Sequence, residues 1–197
     1  MAVTINGDGT ITGLSVGGLP DGIVDTDVIA NNAVTTAKTT VAGITMAEQW
    51  RMNSDTSAGA EQVLQGWSKV TTSLHQGGTI GSSMSVSSGV FTFPSTGIYY
   101  ITGTFIFYVG TSNDAQARVF LKVTYDGSNA NTVARFVHGE FGDGVYGSAT
   151  QHYVLDVNDT SNVKVYFQTE SMSSNTKIMA DNSVGETNVP FIRLGDT

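Results

Sequence analysis

Gly89-Val90-Phe91-Thr92-Phe93-Pro94-Ser95-Thr96-Gly97-Ile98-Tyr99-Tyr100-Ile101 predicts a strand, a tight turn and a second strand, with aromatic residues on both arms. Pro94 lacks an N–H and has a fixed φ, so it closes the first arm rather than extending it. Gly97 supplies the positive φ that such a turn needs. The second arm continues to Val109 and is almost wholly β-branched or aromatic: Ile98, Tyr99, Tyr100, Ile101, Phe105, Ile106, Phe107, Tyr108, Val109. A strand without polar alternation is one that expects burial on both faces. That places it in the middle of a sandwich.

The rest of the chain agrees with an all-β reading. It has 23 Gly and only 13% charged residues, a profile of short strands and many turns rather than of helices. Its 40% hydrophobic content is enough for a core, so global disorder is not expected. Strands are predicted near 68–74, 89–93, 97–109, 116–125, 134–140, 147–157, 163–170 and 189–194. Asp126-Gly127 and the run from Asn158 to Asn162 act as turns between them. Eight antiparallel strands in this length imply a two-sheet jelly roll.

Charge and cysteine content narrow the function. Seventeen acidic residues against nine Lys and Arg leave a net charge of −8, and no basic run interrupts the chain, which argues against a nucleic-acid partner. With no Cys there are no disulfides and no thiolate metal sites. No stretch is apolar enough for membrane insertion, and the residues from Met1 to Asp8 lack the features of a secretory signal.

Three segments are expected. Residues 1–43 contain no aromatic residue and carry a weak repeat of ten, Asp21-Gly22-Ile23-Val24-Asp25-Thr26-Asp27 against Asn31-Asn32-Ala33-Val34-Thr35-Thr36-Ala37. Two copies cannot bury a continuous core alone. Either the segment is a Thr/Asn-rich linker, or several chains run together as a stalk that buries Ile23, Val24, Val28, Ile29 and Val34 against symmetry mates. The regular recurrence of β-branched residues favours the stalk. Residues 44–65 form a transition, where Thr45-Met46-Ala47-Glu48 has capping-box spacing but Trp50 and Met52 serve equally as one face of a strand. Residues 66–197 form the sandwich.

With this strand order in place, residues 89–101 resemble the signature of the C1q/tumour-necrosis-factor-like jelly roll, Gly-x-Phe-x-x-Pro-x-x-Gly-x-Tyr-Tyr. The run from Arg118 to Gly127, the run from Tyr153 to Asp159 and the closing Val189-Pro190-Phe191-Ile192-Arg193-Leu194 are similar to later landmarks of that family. The wording of the blocks 44–51, 87–99 and 191–197, with the style of Ala33-Val34-Thr35-Thr36-Ala37-Lys38, is similar to fibre-like structural proteins of marine tailed phages, including phages of cyanobacteria. The resemblance implies a homotrimer.

No catalytic constellation is found, and no cofactor or metal is expected. His75, His138 and His152 are the only imidazole bases, and no nucleophile elbow, His pair or phosphate loop accompanies them. Asp156, Asn158, Asp159 and Asn162 crowd one turn, and Glu140 and Asp143 another, yet calcium-loop spacing is missing and solvated turns are the expectation. Trimer-interface or core candidates are Trp50, Trp67, Tyr100 and Phe107 together with the stalk aliphatics. Receptor-loop candidates are Thr111, Ser112, Asn113, Asp114 and Tyr146, with Tyr146 packing over its own strand as the alternative. The expected role is a non-enzymatic virion protein, a short trimeric fibre docked to other virion proteins through residues 1–43 and meeting a host cell-surface glycan or protein. A capsid decoration or head-fibre protein is the alternative.

Overall fold

The computed structural model describes residues 4–5, 7, 11–12, 43–57, 61–71, 77–110, 115–139, 142–170, 172–173, 175–181 and 183–197. The chain divides into two compact units, Met1–Ala42 and Gly43–Thr197. In the first, β1 (Thr4–Ile5) pairs antiparallel with β2 (Ile11–Thr12). The stalk candidates Ile23, Val24, Val28, Ile29 and Val34 lie outside the described residues.

The second unit is a sandwich of two antiparallel sheets, and its described residues contain no helix. The larger sheet is organised by β9 (Gly97–Val109). One edge of β9 pairs along its whole length with β12 (Val145–Val157). The other edge is shared: β14 (Thr176–Asp181) takes Ile106 to Val109, and β15 (Asn188–Gly195) takes Ile98 to Thr104. Beyond them lie β3 (Met46–Met52) against β15, β4 (Ser54–Ser57) against β14, and β5 (Trp67–Lys69) and β6 (Ile80–Gly81) against β3. The smaller sheet has the order β11 (Ala130–His138), β10 (Ala117–Thr124), β13 (Lys164–Thr169), β8 (Val90–Thr92) and β7 (Ser85–Ser87).

The two arms of the 89–101 stretch belong to different sheets. Val90–Thr92 pairs with Lys164–Tyr166, whereas Gly97 onward pairs with β12, so Pro94 sits in a crossover that joins the layers. Gly97 has φ +139°, and a Cβ there would meet the Gly195 carbonyl oxygen at 2.5 Å and Arg193 Nε at 2.6 Å. Only glycine fits under that arginine. The segment expected as a transition, 44–65, is instead part of the sandwich. β3 is a strand of the larger sheet with Met46, Glu48, Trp50 and Met52 all buried on its inward face.

Phe91 stands at the centre of the core. Its ring lies 5.4 Å from Trp50, 5.6 Å from Trp67, 5.1 Å from Phe191 and 6.3 Å from Phe167, which ties both sheets together through edge and tilted contacts. One carboxylate enters this apolar layer. Glu48 Oε1 accepts from Trp50 Nε1 at 2.7 Å and from the Met84 N–H at 2.7 Å. Oε2 accepts from the Ser83 hydroxyl, with Lys69 Nζ 4.0 Å away and itself donating to Ser83 Oγ at 3.0 Å. Thus Glu48 does not cap a helix; its side chain anchors the strand leading to β7 onto β3.

Three turns are closed by an aspartate. Asp126 accepts from the Ser128 N–H at 2.9 Å, the Asn129 N–H at 2.7 Å and Asn129 Nδ2 at 2.7 Å, which fixes the β10–β11 hairpin. Asp159 and Asp181 repeat the pattern with Ser161 and with Ser183 and Val184. These donors hold all three carboxyls below their usual range, led by the Asn129 amide for Asp126, the Ser161 N–H for Asp159 and the Ser183 hydroxyl for Asp181.

Replacing Glu48 by Ala strands buried donors and is expected to cost about 3 kcal/mol or more in urea unfolding, whereas Glu48→Gln, which keeps one acceptor in place, costs less. The aspartate turns set a sign for acid sensitivity. A depressed folded-state carboxyl stabilises above the unfolded value of 3.8 and that contribution is lost as pH falls through the folded value. The thermal midpoint should therefore drop on acidification below 3.8, and Asp126→Ala should have a lower midpoint at pH 7 with a shallower acid limb.

Candidate assembly face

Alternation along β9 divides its side chains cleanly. Odd-numbered positions from Gly97 to Val109 are buried, and the even-numbered ones, Ile98, Tyr100, Thr102, Thr104, Ile106 and Tyr108, are only half-buried on the sheet's outward face. The registers extend this face sideways. Tyr100 stands opposite Val154 and Ile192, Ile106 opposite Ser148 and Met179, and Tyr108 opposite Tyr146 and Lys177. Further across, Ile192 faces Ala47 and Ala47 faces Ile80. A cleft of 370 Å³ opens there between Ala47, Gln49, Ile80, Pro190 and Ile192.

The middle of this face is polar, with Thr102 opposite His152 and Thr104 opposite Thr150, and apolar patches flank it: Tyr100, Val154 and Ile192 on one side, Ile106, Tyr108 and Tyr146 on the other. Val154 is 53% exposed, Ile80 49% and Tyr146 61%. Lys177 lies near the Tyr108 end and Asp156 opposite Ile98 at the other. Thr104 and Thr150 hydroxyls bond to each other at 2.9 Å, and Thr102 Oγ1 donates to the Gln151 carbonyl at 3.1 Å. His152 stacks on Tyr100 with ring centroids 5.8 Å apart and an interplanar angle of 27°. The other edge of β12 pairs with no described strand.

The sequence-derived candidates separate on this geometry. Trp50, Trp67 and Phe107 are core residues with no part in the outward face, and Tyr100 is the one aromatic of that group that lies on it. Tyr146 belongs to strand β12 rather than to a loop, and packs on Tyr108 with centroids 4.7 Å apart while remaining exposed. Thr111, Ser112, Asn113 and Asp114 lie outside the described residues, as do His75 and Glu140. Val154, Ile192, Ile80 and Met179 were missed. Their signal is weak in isolation, because each becomes part of a patch only through strand pairing.

His138, on β11, approaches the Gly139 carbonyl at 3.1 Å, while His152 is on the other sheet. The Asp159 carboxylate is taken up by Ser161 N–H and Asn162 Nδ2, each at 2.7 Å. Among the described residues no three His, Asp or Glu side chains converge as a metal site.

No family model and no curated protein sequence matches the chain. Solved structures do. The fold is similar to that of Eiger TNF from S. frugiperda, with a TM-score of 0.59 at 10% identity over 78% of this chain and 95% of that one. Murine APRIL at pH 8.5 is similar with a TM-score of 0.54 at 14% identity, over 76% of this chain and 98% of that one. At such identities the likeness is one of fold, and the sandwich is a C1q/TNF-like jelly roll.

Proposed function

We propose that the chain works as a homotrimer and serves as a structural, non-enzymatic part of a tailed-phage particle. In this reading it is a short fibre that docks through residues 1–43 and carries its jelly rolls outward to the host surface. The observation that carries the assembly is the outward face of β9. Its residue pattern demands cover on both sides, and the described residues of one protomer cover only one. Each half-exposed Ile, Val or Tyr that becomes covered contributes on the order of 1 kcal/mol, so a patch of this kind is a strong driving force for association.

The edge of β12 that pairs with no described strand and the apolar patch around Tyr100 and Ile192 are different surfaces. A contact that laid one on the other would be heterologous, closing into a ring where the rotation closes and running on as an open filament where it does not. Three copies make the smallest such ring. The fibre role draws on the resemblance of the blocks 44–51, 87–99 and 191–197 and on an N-terminal segment with no aromatic residue to build a core of its own.

Sedimentation equilibrium tests the assembly. The wild-type chain is expected at three times its mass of 20.7 kDa. Tyr100→Arg, which sets a charge in an apolar patch of the face, should sediment as a folded monomer, and so should Val154→Arg, at a position the protomer leaves exposed. A wild-type chain that stays monomeric at micromolar concentration would overturn the reading.

A further inference from the structure

The outward face of the smaller sheet collects positive charge. The registers of β10, β11 and β13 put Arg118, Lys122, Arg135 and Lys164 on it, four of the nine Lys and Arg in a chain of net charge −8. Arg118 and Lys122 lie on one strand four residues apart, about 13 Å. Arg135 stands opposite Phe120 between them, and Lys164 is on the next strand, opposite Thr124.

These side chains are held in place without being neutralised. The Arg135 guanidinium lies 5.2 Å from the Phe120 ring centroid and Lys122 Nζ 5.6 Å from it, so one buried ring supports two cations. Lys164 Nζ donates to Thr92 Oγ1 at 3.1 Å. Arg118 Nε is buried with no hydrogen-bond partner. Among the described residues the ion pairs are Lys69 with Glu48 and Arg193 with Asp196, so none of the four has a carboxylate of its own. Glu170, whose N–H donates to the Arg118 carbonyl, and Glu61, whose carbonyl accepts from Gln168 Nε2, mark the acidic margin.

We propose that this face binds an acidic polysaccharide, a chain whose carboxylate or sulfate groups repeat along its length. The cations are spread over a flat sheet and do not converge, which suits many charges in a row better than one phosphate. Single-stranded nucleic acid would need several exposed rings on which bases stack; on this face Phe120 is only 4% exposed, and Tyr166, opposite Lys122, is half-buried. The site does not require the trimer. It lies on the opposite side of the sandwich from the Tyr100 face, so assembly leaves it open.

Chromatography of the full chain on immobilised dextran sulfate, alginate and neutral dextran tests this, with the oligomeric state of each variant measured separately. A protein of net charge −8 is repelled overall by anionic matrices, so retention reports the local face. The wild type is expected to bind dextran sulfate, alginate or both, which identifies sulfate or carboxylate as the group read, and to pass through neutral dextran. Lys122→Gln/Lys164→Gln should bind about tenfold more weakly with unchanged circular dichroism and assembly. Lys177→Gln, the same kind of change on the other sheet, should bind as wild type. No retention of the wild type, or equal retention of the double variant, would overturn the proposal. Tighter binding to oligo-dT than to either polysaccharide would replace it with a nucleic-acid site.

Discussion

Strand β9 has to satisfy apolar side chains on both of its faces, and that demand organises the molecule. One edge is paired along its whole length, and the other from Ile98 to Ile101, at Thr104 and from Ile106 to Val109. Its inward side chains, Tyr99, Ile101, Phe105, Phe107 and Val109, are essentially inaccessible. Phe105 lies 4.7 Å from Phe136 and 5.3 Å from Phe167, so the smaller sheet closes this side. Among the described residues no element packs over the other side. Since Ile98, Tyr100, Ile106 and Tyr108 of the central strand remain partly exposed, beside the exposed Val154 and Tyr146 of β12, apolar surface is left for a partner to cover.

What could be read from the amino acids alone was the part written in dense β-branched and aromatic runs. The limits of β9, Gly97 and Val109, follow from the uninterrupted character of that run and from the glycine on which it starts. The Asp126-Gly127 turn was legible because its side-chain acceptor acts locally, within three residues. By contrast, Ser54–Ser57 and Ser85–Ser87 are short and mostly polar, and become strands only because a neighbour offers its open edge, while Thr176–Asp181 has no clear alternation to announce it. Glu48 shows why local spacing misleads. Thr45 and Glu48 stand three residues apart as in a capping box, but the carboxylate finds Met84 and Ser83 more than thirty residues away in sequence.

The same limit applies to charge. Along the chain the cations look sparse and scattered, and the overall excess is acidic. Alternation with period 2 puts Arg118, Phe120 and Lys122 on one side of β10, and two strand registers then bring Arg135 and Lys164 beside them. Net charge describes behaviour at long range, whereas a sheet can sort its residues so that one face has the opposite sign. Here the four cations share a face with Thr92, Tyr166 and Gln168, Glu170 lies beside Arg118 at its margin, and Asp126 and Asp159 sit in the turns at the ends of strands.

The two outward faces of the sandwich thus differ in kind, and each suits a different task. An apolar face gains by being removed from water, and does so best against a surface that is equally apolar and fixed in shape. A dispersed cationic face gains little per contact, since exposed charge pairs are screened and contribute well under 1 kcal/mol each in many cases. Such a face becomes effective when it is repeated. Three copies held by the first face would present the second three times, and linked weak sites multiply their affinities through effective concentration rather than through new contacts. If the chain assembles as proposed, the geometry of one sandwich would couple the two: the apolar side would supply the multiplicity that weak, scattered charges need.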